Sequence, residues 1–301
     1  MTKVYFSDTD DIVNLCDDEV FKAAFTQNTP ESREALRRLL TAILKRELTI
    51  ITITANEPPI QDLRDRQIRY DIAVNFNNGE LGNVEVTIWP DAYEVLRLEY
   101  YAGRLFLNQN IKGKDMSYRD LQRVYQISFI GNRRLFGDDE LVHHFEYHDK
   151  EHDMPLGGRT TIITLELEKL GRALKKPVAE MDAEERWAVF VRFCADKTKR
   201  GLINELLAQE EGIALVGQTI KGFTKEQIEY FHETSKLKYE LDMQSRETYA
   251  REEGREIGRE EGRQALSESQ QALVERDRII AKSREALAEK DLIIAELMRK
   301  Q

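Results

Sequence analysis

The spacing of apolar residues predicts two helices and a strand in the first part of the chain. Residues 17–25 and 31–46 place apolar side chains every three or four positions, as one buried helix face requires. Residues 48–55 are rich in β-branched side chains and predict a strand. Pro58 and Pro59 then mark a loop.

The next segment carries the clearest local signal, a predicted β-hairpin. Two alternating runs, residues 68–76 and 81–89, are joined by Asn77-Asn78-Gly79-Glu80, and Asn-Gly between alternating runs is typical of a hairpin turn. Because side chains alternate along a strand, the first strand has an apolar face and a more polar face. The pattern predicts Tyr70, Ile72, Val74 and Phe76 on the first face, and Asp71, Ala73 and Asn75 on the second.

The following residues continue to alternate between helix and strand patterns. Residues 91–110 predict a helix, 124–130 and 160–167 predict strands, and 183–195 and 199–210 predict two more helices. An order of helix, strand, hairpin, helix and strand is typical of an α/β fold with a mixed sheet.

The sequence of the C-terminal part of the chain predicts helices that do not belong to a hydrophobic core. A charged segment contains Gly254, Gly258 and Gly262, which lower helix propensity and predict a marginal, exposed helix or a hinge. Further on, apolar residues recur at every seventh position, at Leu266, Leu273, Ile280, Leu287 and Ile294. The positions three and four residues beyond them are polar, so a two-stranded coiled coil and a solvated amphipathic helix both remain open. The predicted organisation is a folded domain of residues 1–236, a helical linker of residues 237–263 and a helical tail of residues 264–301.

Composition narrows the class of protein and indicates a reducing compartment. The chain has 301 residues, with 45 Lys and Arg against 55 Asp and Glu, for a net charge of −10. It has no run of about 18 apolar residues, and its N-terminus turns acidic where a signal peptide turns apolar. Cys16 and Cys194 lack metal-binding spacing and predict a cytoplasmic protein with small buried cysteines. The acidic balance argues against a nucleic-acid coat protein, but it allows an enzyme that concentrates positive charge locally.

Two acids in the predicted hairpin are candidates for chemistry. Asp71 interrupts the apolar run of the first strand, and Glu85 shares a face of the second strand with Thr87. Carboxylates on neighbouring strands repel each other, which raises one pKa unless a cation neutralises them. A hard divalent ion such as Mg²⁺ binds such a pair together with carbonyl and water oxygens. The alternative is a hairpin with two acids on its solvent-exposed side.

Several segments along the chain together carry a family pattern. They are Asp18-Glu19-Val20-Phe21-Lys22-Ala23-Ala24-Phe25, Leu39-Leu40-Thr41-Ala42-Ile43-Leu44, Tyr70-Asp71-Ile72, Gly79-Glu80-Leu81, Asn83-Val84-Glu85-Val86, then Arg97, Tyr100, Tyr101, Gln109, Gly113, Tyr118 and Leu121, then Leu165-Glu166-Leu167-Glu168-Lys169, and Tyr239-Glu240. In their order and spacing, these segments resemble the recombination-promoting nuclease and putative transposase family of the PD-(D/E)xK nuclease superfamily.

The resemblance implies a fold and an activity. The fold is a restriction-endonuclease-like mixed β-sheet flanked by helices, and the activity is a metal-dependent DNA endonuclease that promotes recombination or transposition-like events. In such a site, Asp71 and Glu85 bind Mg²⁺ or Mn²⁺ with the carbonyl of Val86 as a third ligand. Asp18 or Glu19 on the first helix would add an outer carboxylate, and the alternative is that both complement the helix dipole.

One triplet departs from the family pattern. The superfamily usually has Glu-x-Lys on the second strand and this family usually Glu-x-Gln, whereas this chain has Glu85-Val86-Thr87. Thr87 is shorter and uncharged, although its hydroxyl can hold a water at the catalytic position. The alternative function is therefore a catalytically inactive nuclease fold that binds DNA or protein.

Local charge supports DNA as the partner. Residues 91–134 hold eight Lys and Arg against five Asp and Glu, a local charge of +3. Tyrosines interleave with these cations and can stack on bases, although the core is their more usual place. We expect no association with membranes and a homo-oligomer formed through the C-terminal helix. The residues expected to contact DNA are Lys22, Arg97, Tyr101, Arg104 and Gln109.

Four histidines are a weaker candidate for a metal site. His143, His144, His148 and His152 lie near acids, and three of them have helical spacing. No His-Glu-x-x-His motif is present and two glycines follow, so a solvated loop is predicted there.

Overall fold

A computed structural model describes residues 4–53, 70–77, 79–109 and 117–299. The predicted loop at Pro58 and Pro59 and the first two residues of the predicted hairpin lie outside this part of the chain. Internal contacts divide the chain into two units, Met1–Ser235 and Lys236–Gln301.

The first unit contains a mixed β-sheet. Its strands are β1 (Ile50–Ile53), β2 (Ile72–Phe76), β3 (Glu80–Thr87), β4 (Val124–Ile130), β5 (Val142–Phe145) and β8 (Thr160–Glu166), and β6 (His148–Asp149) and β7 (Met154–Pro155) form a separate hairpin. The strand order of the sheet is β1-β2-β3-β4-β8-β5. The pairs β3–β4 and β4–β8 are parallel, and the other pairs are antiparallel. The predicted mixed α/β sheet is therefore confirmed.

The chain also contains seven α-helices in its described part, and polar residues fix where several of them begin. They are α1 (Asp18–Phe25), α2 (Pro30–Leu44), α3 (Glu94–Leu107), α4 (Ala183–Phe193), α5 (Arg200–Gln209), α6 (Glu211–Lys221) and α7 (Lys225–Arg299). Asp17 caps α1 by accepting from the N–H groups of Glu19 and Val20. Asp182 and Glu185 form a reciprocal capping box at the start of α4.

The two faces of the sheet differ in polarity. Val84 and Val86 of β3 pack with Ile72, Val74 and Phe76 of β2 in the large apolar core, which also contains buried residues of α1, α2, α4, α5 and α6. Helix α3 packs against β3, β4 and β8 on the opposite face. On that face the register aligns a row of buried polar side chains across three strands: Asn83, Glu85, Gln126, Ser128, Thr164 and Glu166. The polar row is where chemistry can take place.

The predicted hairpin forms, with one difference at its start. Asn77 and Gly79 at the turn have φ values of 51° and 98°, the left-handed region that Asn and Gly tolerate best. A Cβ at Gly82 would lie 3.0 Å from the Phe76 ring, so the close packing within the hairpin requires glycine there. Tyr70 does not share the apolar face of β2, because it precedes the strand and its ring packs edge-on at 5.8 Å against Tyr101 of α3.

The second unit is helical throughout its described length. Helix α7 continues without interruption through Gly254, Gly258 and Gly262, and the hinge at that segment stays a prediction. Four of the heptad residues, Leu266, Leu273, Ile280 and Leu287, are between 43% and 61% exposed. Their pairing with a second helix stays a prediction. None of the helices in the described part of the chain combines the length and the apolar composition needed to cross a bilayer.

Candidate active site

Asp71 and Glu85 lie close together at the hairpin. The last antiparallel pair of β2 and β3 is Ile72 with Val84, and Asp71 and Glu85 are the next residues on the two sides of that pair. The charge of Glu85 acts on the Asp71 carboxylate, so the two acids lie near each other. The backbone N–H of Val86 donates to the Asp71 carboxylate, which brings that carboxylate to the main chain of Val86. The structure thus brings the Asp71 carboxylate close to Glu85 and to the backbone N–H of Val86, and metal binding by the Val86 carbonyl stays a prediction.

Burial makes this pair of acids costly to ionise. Glu85 is only 3% exposed. Burial, and then the charge of Glu85, raise the pKa of Asp71 well above its usual range. Burial also raises the pKa of Glu85, against the opposing effect of Arg97. Near neutral pH the pair therefore holds a proton, or a cation in its place.

Asn83 orients Glu85 within the polar row. Its Nδ2 lies 3.5 Å from Glu85 Oε2 and 3.0 Å from Gln126 Oε1 of the neighbouring strand. Because hydrogen bonds to a carboxylate favour its charged form, Asn83 and Ser128 partly offset the effect of burial on the pKa of Glu85. These contacts hold one carboxylate oxygen in place without neutralising it.

The guanidinium of Arg97 lies beside Glu85. Its Nη2 is 2.5 Å from the hydroxyl oxygen of Thr87, 2.9 Å from Glu94 Oε1 and 3.7 Å from Glu85 Oε1. The guanidinium carbon also lies 5.8 Å from the centre of the Tyr101 ring. Although burial works against the charge, Glu85 and Glu94 hold the pKa of Arg97 above its ordinary value. The side chain remains 42% exposed, so a ligand can reach this cation.

Glu94 is a third buried acid at the site, and sequence reasoning missed it. It is 2% exposed, and burial raises its pKa. In the sequence it is an acid in the first turn of a helix, where acids normally complement the helix dipole. The only local signal was its spacing of three residues from Arg97.

Helix α1 contributes a second cation near the pair. The charge of Lys22 lowers the pKa of Asp71, which places its ammonium near that carboxylate. Asp18 and Glu19 lie in the first turn of α1, one turn before Lys22. That position suits both their predicted role as outer carboxylates and the alternative of complementing the helix dipole.

The other residues predicted to contact DNA lie along α3 and just beyond it. Tyr101 packs between Tyr70 and Arg97, and Arg104 is close enough to Tyr70 to affect its pKa. The side-chain amide of Gln109 bonds to the backbone of Gln122 at both ends, with distances of 2.7 and 3.1 Å. These contacts favour a structural role for Gln109, and its DNA contact stays a prediction.

The histidine segment forms strand and hairpin structure, and its histidines pair with acids. His143 Nε2 lies 2.9 Å from Asp138, and His152 Nδ1 lies 2.8 Å from Asp149. Within the described residues, no three His, Cys, Asp or Glu side chains are grouped so as to hold a metal ion. The loop predicted from the two glycines that follow is therefore wrong where β5, β6 and β7 form.

A separate buried ion pair, Glu166 with Lys169, anchors the connection that follows β4. Lys169 Nζ lies 2.6 Å from Glu166 Oε1 and 2.8 Å from Asp138 Oδ1. Glu166 Oε2 accepts a hydrogen bond from the N–H of Leu135 at 2.7 Å. Both side chains of the pair are fully buried. The pair therefore holds the connection between β4 and β5 against the end of β8.

The donor set at the hairpin fits a hard divalent ion. Two neighbouring carboxylates with raised pKa values offer the oxygen ligands that Mg²⁺ and Mn²⁺ prefer. The remaining ligands of such an ion are waters and a phosphate oxygen.

Comparison with known proteins gave one match. A family model described as PD-(D/E)XK nuclease family transposase matches residues 15–250, a range that contains the hairpin, α1 and α3. No curated protein and no solved structure matched the chain.

Proposed function

Because the chain belongs to the PD-(D/E)XK nuclease family of transposases, we propose that it is a metal-dependent endonuclease that hydrolyses phosphodiester bonds in DNA. The observation that carries this proposal is the neighbouring, buried pair of Asp71 and Glu85, whose pKa values are both raised. A buried pair of acids without a cation destabilises the fold, which is tolerated where the cation is needed for function.

The residues of the site have separate roles in this proposal. Asp71, Glu85 and the carbonyl of Val86 hold the ion. When bound, a divalent ion polarises a phosphate oxygen and lowers the pKa of a coordinated water. The charge of Lys22 acts on Asp71, and in this proposal its ammonium binds a phosphate of the substrate.

DNA binds across α3 in this proposal. The segment of residues 91–134 has a net charge of +3, and the exposed side chains of Tyr93, Leu96 and Tyr100 follow one face of α3. Base stacking on exposed tyrosines combined with nearby cations is the usual design of surfaces that bind single strands. Strand breaks made at such a site would promote recombination or transposition-like events.

Nicking of supercoiled plasmid DNA tests the catalytic proposal. Wild-type protein with Mg²⁺ or Mn²⁺ is expected to convert the plasmid to open circles, and Asp71→Asn and Glu85→Gln are expected to reduce nicking to the level of buffer. Asp139→Asn is a matched control, because that carboxylate is exposed and its ion pairs lie outside the site. Equal nicking by the wild type and both site variants would refute the proposal.

The second candidate is a catalytically inactive module that binds DNA or protein, and Thr87 favours it. Wild-type protein would then bind DNA without cutting it. Thr87→Lys and Thr87→Gln restore the family's usual residue types on β3, so a gain of nicking in either variant over an inactive wild type would establish this second candidate.

We also propose that the tail forms a homo-oligomer through its heptad residues. Leu266, Leu273, Ile280 and Leu287 are exposed in the single chain and recur at the heptad spacing of a coiled coil. Sedimentation velocity of full-length Leu273→Glu is expected to give a smaller species than the wild type. Gln270→Glu adds the same charge at a polar position, and an unchanged species in both variants would refute the proposal.

A further inference from the structure

We infer that Arg97 of α3 supplies the catalytic cation that β3 lacks, and that Glu94 is the positioning residue that aims it. The inference rests on the proposed nuclease function and assigns the group that stabilises charge on the reacting phosphate. On β3, the side chain two residues after Glu85 is the uncharged Thr87. The guanidinium of Arg97 reaches that same place from the neighbouring helix.

The contacts of Arg97 fix its position and leave part of it open. Its hydrogen bonds and ion pairs to residues in the described part of the chain all use Nη2, which meets Thr87 and Glu94. The side chain is 42% exposed, so solvent reaches part of it. A guanidinium presents up to about five N–H donors in a fixed geometry that matches phosphate oxygens. Thr87 therefore acts as an acceptor that holds the cation.

Glu94 has the burial and spacing of a positioning residue. It lies one helical turn before Arg97, it is 2% exposed, and its Oε1 is 2.9 Å from Nη2. A buried carboxylate is unfavourable when it has no cation beside it. Because Glu94 is buried, separating it from Arg97 is costly, and the guanidinium stays in place. The Tyr101 ring, 5.8 Å from the guanidinium carbon, limits movement on another side.

The position of Arg97 also sets it in competition with a bound metal. At 3.7 Å from Glu85 Oε1, its charge partly neutralises a carboxylate proposed to bind the ion. Removal of the charge should therefore strengthen metal binding while weakening catalysis. A residue that merely kept the site folded would weaken both, so the two measurements separate the roles.

The experiment compares full-length variants in single-turnover cleavage with Mn²⁺ and in calorimetric titration of Mn²⁺ without DNA. We expect Arg97→Gln to slow cleavage by about 10²-fold, the loss typical of one electrostatic group at a transition state, and to bind Mn²⁺ more tightly than the wild type. Arg97→Lys should retain part of the rate. The double variant Arg97→Gln with Thr87→Lys should regain at least a tenth of the wild-type cleavage rate, because a lysine on β3 puts a positive charge back at the same place.

Glu94→Gln tests the positioning role. It should slow cleavage less than Arg97→Gln and leave the affinity for DNA unchanged, because the guanidinium is still present but less well aimed. Arg172→Gln is the control for loss of an arginine, since its ion pairs with Asp139 and Glu140 lie outside the site.

The outcomes distinguish this inference from the proposed function. If wild-type protein does not cut DNA, the proposed function fails and the inference fails with it. If wild-type protein cuts DNA and Arg97→Gln cuts equally fast, only the inference fails. Loss of both cleavage and Mn²⁺ binding in Arg97→Gln would also overturn the inference, because Arg97 would then only maintain the structure of the site.

Discussion

The stability of the metal-free protein should fall as the pH rises from 5 to 8, because of the buried acids at the hairpin. The pKa values of Asp71 and Glu85 are raised in the folded protein by burial, and for Asp71 also by the charge of Glu85. The unfolded chain ionises both acids in the ordinary carboxyl range. The stabilising contribution is therefore complete below that range and is lost as the pH rises through the raised folded-state pKa values.

The magnitude follows from the number of protons that the pair retains. If the folded pair keeps one proton that the unfolded chain has lost, the free energy of unfolding falls by about 1.4 kcal/mol per pH unit. Over two pH units the loss is about 3 kcal/mol. For a folded unit of this size, that loss lowers the Tm by roughly 6–12 °C.

The assay is thermal unfolding in a chelating buffer at pH 5, 6, 7 and 8. The quantity compared is the change in Tm with pH, in the wild type and in the double variant Asp71→Asn with Glu85→Gln. The double variant cannot ionise at either position, so its Tm should fall less steeply as the pH rises. Mg²⁺ should raise the Tm of the wild type more at pH 8 than at pH 5, because it replaces the shared proton.

A carboxyl group with the opposite shift serves as control. A hydrogen bond from Lys221 lowers the pKa of Asp10 to about 2, so its contribution is present above the ordinary carboxyl range and is lost only as the pH falls towards 2. Asp10→Asn should therefore leave the slope of Tm against pH unchanged between pH 5 and 8. If Tm falls with pH equally steeply in the wild type and in the double variant at Asp71 and Glu85, the reasoning about these two acids is refuted.

Three further predictions concern the fold around the site. Lys169→Met leaves Glu166 buried without its cation and should lower the free energy of unfolding in urea by about 3–5 kcal/mol. A cost under about 1 kcal/mol would contradict a stabilising role for this buried ion pair. Gly82→Ala forces a Cβ against Phe76 and Val74 and should cost about 1–3 kcal/mol in thermal unfolding, whereas an unchanged Tm would mean that the hairpin relaxes freely. Burial raises the pKa of Cys16 to about 11 and that of Cys194 to about 12, so both thiols should resist iodoacetamide at pH 8 until the protein unfolds, and rapid labelling of the native protein would contradict this.

The hairpin and its acids could be predicted from the sequence because their signals are local. Asn77 and Gly79 mark the turn, and alternation assigns Asp71 and Glu85 to one face. The boundaries of β4 agree with the prediction, since Val124–Ile130 is a mostly apolar run that is buried throughout. These features depend on residues close together in the chain.

The cluster around Arg97 could not be predicted in the same way. The contacts among Thr87, Glu94 and Arg97 depend on how α3 docks on the sheet, and no local pattern records that docking. The sequence did not predict β5, because Val142–Phe145 is a short, partly exposed edge strand with two histidines and no alternation. Helix α6 was not predicted, and its Gly212 and Gly217 lower the helix propensity that a sequence pattern would detect.

The arrangement of the site has a consequence during synthesis of the protein. Both acids belong to one hairpin, whereas the cations beside them come from α1 and α3, which must dock on the sheet from opposite ends of that hairpin in the sequence. Helix α3 packs on β8 as well as on β3 and β4, and β8 leaves the ribosome much later than the hairpin. A nascent chain that has formed only the hairpin therefore has acids without their cations. Under the proposed function, such a chain would be unable to cleave DNA until α1 and α3 have docked on the sheet.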